Sequence, residues 1–174
     1  LEGNKWLLAS SDLLCILDSK TGKTKQIAKM PDPVTCVYSD SKNRFWIATK
    51  GSGLYKFQNN SIQKYVCNGL EDALYISDIK QHPDNFLWLS THAGIYRFDP
   101  DKLLPRVEKI TKEQGFISNE IYSTAFNHGL YYAATSEGLC SFTPEIFKTE
   151  KTKPLLYFSE LLIDGKRQNL NSLQ

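Results

Sequence analysis

One phrase returns four times along this chain, and it confines the fold to a repeating architecture. It reads KWLLASSDLLCIL at 5–17, FWIATKGSGLYKF at 45–57, LWLSTHAGIYRF at 87–98 and LYYAATSEGLCSF at 130–142. Its hydroxyl anchors, Ser10, Thr49, Thr91 and Thr135, lie 39, 42 and 44 residues apart. A period of that size fits a four-stranded propeller blade or a helix-pair solenoid unit.

Local pattern chooses between the two. Each unit consists of runs of about four to six β-branched and aromatic residues, broken by Gly, Pro, Asn and Asp, which is the strand signature. The second unit reads VTCVYS, turn, FWIAT, turn, LYKF, turn, IQKYV. The third repeats it as YISDIKQ, FLWLST, IYRF and RVEKI. These are four antiparallel strands per unit, here termed A to D. No window offers a capped helix. FWIAT is apolar at nearly every position, as expected of a strand covered on both faces, and blades packed around an axis cover both faces. Trp6, Trp46 and Trp88 recur in strand B, where packing between blades is their expected role. Gly53, Gly94 and Gly138 fall where a tight B–C turn needs a positive backbone angle.

The expected fold is therefore all-β: a β-propeller fragment of about three and a half four-stranded blades, followed by the first strands of a β-sandwich. Residues 1–142 carry the blades, with repeats near 5–28, 34–66, 75–110 and 121–142. The polar, Pro-bounded stretch 143–154 reads as a linker. Residues 155–174 hold a strand-like run and a DGK hairpin signal, which either closes the propeller or opens the sandwich. The first unit starts at strand B, so its apolar face is expected to need a neighbour, supplied by upstream blades or a second chain.

Bulk properties exclude several classes. Of 174 residues, 41% are hydrophobic and 23% charged, which suits a globular domain. A net charge of +2 gives no reason to expect nucleic acid. No run is long enough to span a membrane, and the first residues lack a signal-peptide pattern. Cys15, Cys36, Cys67 and Cys140 form no CxxC pair. Cys15 and Cys140 occupy the strand C position held by Tyr55 and Tyr96, so packing is expected of them, with a disulfide or redox role as the alternative. His82 and His128 fall in A–B turns and His92 on the other face, so no compact metal site is expected. No phosphate loop or nucleophile elbow is present. No cofactor and no catalytic residue is expected.

NRFWIATKGSGLYKF and NFLWLSTHAGIYRFDP resemble the two-component regulator propeller repeat. The stretch 113–145 resembles the last propeller repeat of that family, and PLLYFSELLIDGKRQ the opening of the triple-tyrosine β-sandwich that follows it. The first unit departs from the pattern by lacking the turn glycine, the fourth by carrying Tyr131 and Tyr132 around the Trp position. The resemblance implies a periplasmic segment of an inner-membrane sensor that detects oligosaccharides. A histidine kinase, often with a response regulator, would lie elsewhere in the parent protein. It also implies a homodimeric receptor, anchored in the membrane only through segments outside this sequence.

Antiparallel order puts the B–C turns and the D–A connections on one face of the disc, and the A–B and C–D turns on the other. Loops on a rigid scaffold commonly carry recognition. Sugars require planar hydrogen-bonding groups and aromatic surface, which makes Lys50, Tyr75, His92, Asn119 and Glu120 the candidate ligand-binding residues. The competing reading is that these are solvated loop residues, with Asn119 capping the turn before strand A. A protein-interaction propeller, or part of a propeller enzyme whose active site lies on other blades, are the alternative functions.

Overall fold

A computed structural model describes residues 3–59, 61–143, 145 and 146, together with the backbone of strands 161–163 and 166–168. Four small antiparallel sheets follow one another along the chain. The first holds β1 (Lys5–Ser10), β2 (Leu13–Asp18) and β3 (Thr24–Lys29). The second is β4 (Val34–Ser39), β5 (Phe45–Thr49), β6 (Leu54–Gln58) and β7 (Ser61–Lys64). The third is β8 (Ile76–Gln81), β9 (Leu87–Thr91), β10 (Gly94–Phe98) and β11 (Glu108–Ile110). The fourth is β12 (Ile121–Asn127), β13 (Leu130–Thr135) and β14 (Gly138–Phe142). Strand order within each sheet follows chain order, so every blade is a simple meander. The first sheet supplies strands B to D, and the last supplies A to C among the described residues.

The core lies between the sheets. Leu14, Met30, Ile47 and Phe57 pack the first sheet on the second. Trp46, Leu54, Ile76, Ile79, Leu89 and Tyr96 pack the second on the third. Trp88, Ile95, Ile121, Tyr131 and Ala133 pack the third on the fourth. β5 and β9 are buried along nearly their whole length because each is sandwiched in this way. Trp46 and Trp88 are fully buried, as their repeat position predicts, whereas Trp6 is 61% exposed on the outer face of the first sheet. All four cysteines are free and half-buried.

The first strands β4, β8 and β12 lie against one another and form the inner wall. Each carries a bulge at the same place, where the register skips Thr35, Ser77 and Tyr122. The next residues, Cys36, Asp78 and Ser123, are therefore equivalent. They link across three blades: Ser123 Oγ donates to Asp78 Oδ2 at 2.5 Å, and Cys36 Sγ lies 3.8 Å from Asp78 Oδ1. The rim is fastened likewise. Asp40 in the second A–B turn accepts from Trp46 Nε1 at 2.9 Å and Arg44 Nε at 2.5 Å, and from the backbone N–H of Lys42 and Arg44. Arg44 reaches on to the Pro100 carbonyl and the Asp101 carboxylate of the next blade. His82, the equivalent of Asp40, meets the Tyr131 hydroxyl of its neighbour blade at 2.6 Å.

The structure departs from the sequence reading in small ways. A 3₁₀ turn, η1 (Lys112–Gln114), interrupts the third D–A connection. Thr111 and Gln114 close a reciprocal capping box around it. Three residues carry no helical periodicity, so pattern alone does not reveal it. The D strands are shorter than read, ending at Lys64 and starting at Glu108. In the tail, β15 (Leu161–Ile163) pairs antiparallel with β16 (Lys166–Gln168), and residues 164 and 165 of the DGK signal lie outside the described residues. Most of the 143–154 linker and the remainder of 155–174 lie outside the described residues.

Candidate functional site

The repeated Thr explains why the phrase repeats. In three consecutive blades it closes the B–C turn with its hydroxyl. Thr49, Thr91 and Thr135 donate to the carbonyls of Gly53, Gly94 and Gly138 at 2.8, 2.7 and 2.8 Å. The same oxygens accept N–H groups from Ser52, Ala93 and Glu137 at 3.1, 2.9 and 3.1 Å. Gly94 has φ +117°, and a Cβ there would meet the Ile110 carbonyl oxygen, so no other residue fits. The first unit, with Ser10 and no glycine, instead makes a tight turn at Ser11 with φ 52°.

The residue after each Thr is pinned to the connection entering strand A. Lys50 N–H donates to the Pro33 carbonyl at 2.9 Å, His92 to Tyr75 at 3.3 Å and Ser136 to Glu120 at 3.1 Å. Lys50, His92 and Ser136 are thus one position in three blades, and Pro33, Tyr75 and Glu120 another. This fixes where the candidate residues stand. The His92 ring stacks on Tyr75, with centroids 3.7 Å apart and planes 12° from parallel. His92 Nε2 lies 3.6 Å from Glu120 Oε1 across the seam between the third and fourth blades. Tyr122 completes the group: its hydroxyl donates to Glu120 Oε1 at 3.4 Å, and its ring stands edge-on to His92 at 6.4 Å. Desolvation and the Glu120 carboxylate raise the Tyr122 hydroxyl above its ordinary pKa.

A shallow polar cavity of about 480 Å³ opens beside His92, with Lys109, Thr111, Glu113, Gln114 and Asn119 around it. Asn119 borders this cavity but spends its Oδ1 on the Lys112 N–H, at 2.7 Å. It caps the 3₁₀ turn and so shapes the cavity wall. Lys112 is also tied to Glu137 at 3.0 Å. Lys50 sits one blade away, exposed, outside the cluster that joins Tyr75, His92 and Glu120. Its turn borders a different, mostly apolar cavity of about 240 Å³ under the 65–74 connection. The sequence reading missed Tyr122, because the bulge breaks the alternation that would have placed it; the equivalent skipped positions are Thr35 and Ser77, which are not aromatic. The cluster can offer hydrogen bonds and a 47% exposed tyrosine ring. Among the described residues no group of three His, Cys, Asp or Glu side chains is arranged to hold a metal ion.

Residues 29–51 match the family model described as two component regulator propeller. They run from the end of β3 through the B–C turn containing Lys50. Among solved structures, the chain is similar to the extracellular domain of a putative hybrid two component system from B. thetaiotaomicron. That pair shares 20% identity at a TM-score of 0.64, over 78% of this chain and 18% of that one. A second such domain from the same organism matches at 14% identity and TM-score 0.64, over 82% and 21%. Virginiamycin B lyase from Staphylococcus aureus matches at 13% identity and TM-score 0.54, over 80% and 55%. These likenesses establish the propeller fold, and the chain spans about a fifth of the two extracellular domains. No curated protein matches. No helix among the described residues is long and apolar enough to cross a membrane.

Proposed function

We propose that this chain is part of an extracytoplasmic, ligand-sensing propeller of a two-component regulator, and that its ligand is an oligosaccharide. The observation that carries this reading is the seam where Tyr75, His92, Glu120 and Tyr122 converge beside a polar cavity. Such a cluster presents aromatic surface together with an imidazole, a carboxylate and a phenol, the groups a neutral sugar ring needs. The repeat match at 29–51 and the likeness to extracellular domains of putative hybrid two component systems support the sensing role. In this reading the parent protein resides in the inner membrane with this part in the periplasm. It carries a histidine kinase elsewhere and works as a homodimer. The chain itself binds and does not catalyse.

The seam suits signalling because it joins two blades. A ligand preferring one relative setting of the third and fourth blades would shift the population toward it. The test is a thermal-shift screen against defined neutral oligosaccharides, since a ligand that binds only the folded state must raise Tm. A shift with one glycan class, lost in His92→Ala and in Tyr122→Ala, is the expected result. No shift across the panel for a well-folded protein, or a shift unchanged by both substitutions, would overturn the reading. The first of those results would favour a propeller that binds protein.

A further inference from the structure

The opposite face of the disc holds a second, chemically different cleft. It opens between the first and second sheets, where the A–B and C–D turns lie, and has a volume of about 1110 Å³. Lys5, Lys23, Lys25, Lys42 and Arg44 line it against a single carboxylate, Asp18. The whole chain carries only +2, so the cleft concentrates more positive charge than the molecule has net. That charge is unequally spent. Lys42 pairs with Asp101 at 2.8 Å, and Arg44 with Asp40 and Asp101 at 2.5 and 2.7 Å. Asp18 is occupied by the backbone N–H groups of Lys20 and Thr21. Lys5, Lys23 and Lys25 have no carboxylate in ion-pair range among the described residues. The buried Nη2 of Arg44 has no hydrogen-bond partner either. Beneath the charges lies an apolar floor of Ile16, Phe45 and Phe57, the two rings edge-to-face at 6.2 Å.

We infer that this cleft binds an oligosaccharide carrying several anionic groups. The lysines of the first sheet, Lys5 on β1 and Lys23 and Lys25 at β3, supply the attraction, and a cleft walled by protein focuses it. The floor gives sugar rings an apolar surface, and a volume of about 1110 Å³ favours a chain of anions over a single one. This site is separate from the His92 seam and does not depend on it.

The probe is maltotetraose persulfate, with unsulfated maltotetraose and inorganic sulfate as comparisons, titrated calorimetrically into the full-length protein. The persulfate is expected to bind, more weakly as salt rises. The double substitution Lys23→Glu with Lys25→Glu is expected to weaken it by about tenfold or more. Both side chains are exposed, so the fold should survive, and Lys5→Glu gives an independent variant on β1, at the other edge of the same sheet. His92→Ala should leave the affinity unchanged, which separates this site from the sensing seam. Absence of persulfate binding at low salt, or affinity unchanged in both charge-reversal variants, would overturn the inference. So would equal binding of unsulfated maltotetraose, or inorganic sulfate binding as tightly as the persulfate.

Discussion

At the scale of single residues, Asp40 is the most constrained side chain of the second blade. Its carboxylate is shut off from solvent and takes hydrogen bonds from an indole, a guanidinium and two backbone amides. Burial alone would raise its pKa, but the bonds from Trp46, Arg44 and Lys42 outweigh it and hold the carboxyl below its ordinary value. The sign of the pH effect follows. A depressed folded pKa adds stability that is fully present above the ordinary carboxylate range, near pH 4, and is lost as pH falls through the folded value. Asp40→Asn is expected to cost about 2–3 kcal/mol at neutral pH. The loss should shrink on acidification, which urea unfolding midpoints across the acid range would measure. A cost independent of pH would show that the charge is not what the site holds. None of this was legible in the sequence, where Asp40 is one of many turn aspartates.

At the scale of elements, the B–C turn is the unit the sequence repeats, and the structure gives the reason. A Thr hydroxyl bridges the turn, a glycine adopts the left-handed angle, and the following N–H ties the turn to strand A. The turn is therefore a clamp that sets His92 against Tyr75. Thr91→Val keeps the shape and removes both hydroxyl bonds, 2.7 and 2.9 Å long. It is expected to cost about 1–2 kcal/mol and to weaken glycan binding while leaving the His92 side chain intact. Chemical denaturation and the thermal-shift screen, run on the same variant, check the two effects. If stability falls and binding does not, the turn holds the fold without positioning the seam. The Thr and the glycine could be read from the chain. The partner carbonyl of each turn, on a connection of unrelated sequence, could not.

At the scale of the whole molecule, stacking four sheets buries two of the three tryptophans. Trp46 and Trp88 are fully enclosed between sheets, while Trp6, one strand position earlier and so on the opposite face of its sheet, is 61% exposed with Leu8 at 41%. The 174-residue chain should therefore show one tryptophan open to a collisional quencher and two protected. Trp6→Phe should abolish the accessible component of the fluorescence. If no component is accessible in the unsubstituted chain, the face of the first sheet is covered in solution, by a second copy of the chain for instance. Trp6 stands where Leu87 stands in the third blade, and Leu87 is fully buried, because burial depends on having a sheet on each side.

The sequence by itself determined the blade. Alternating apolar runs of strand length, punctuated at a fixed period by a hydroxyl residue and a flexible turn, admit one local solution, and β4, β5, β6 and β8 fall within a residue of where the pattern puts them. It also determined which face carries which turns, since antiparallel order leaves no choice. What only the tertiary structure decided is how neighbouring blades meet. The bulges of β4, β8 and β12 shift alternation by one residue, turn Tyr122 into a site residue and align Cys36, Asp78 and Ser123. His92 and Glu120 come together across a seam, and Lys5 joins Lys23, Lys25 and Lys42 around one cleft. The physical reason is range. Strand and turn propensities act over a few residues, whereas the seam and the cleft are set by packing between sheets about forty residues apart in the chain.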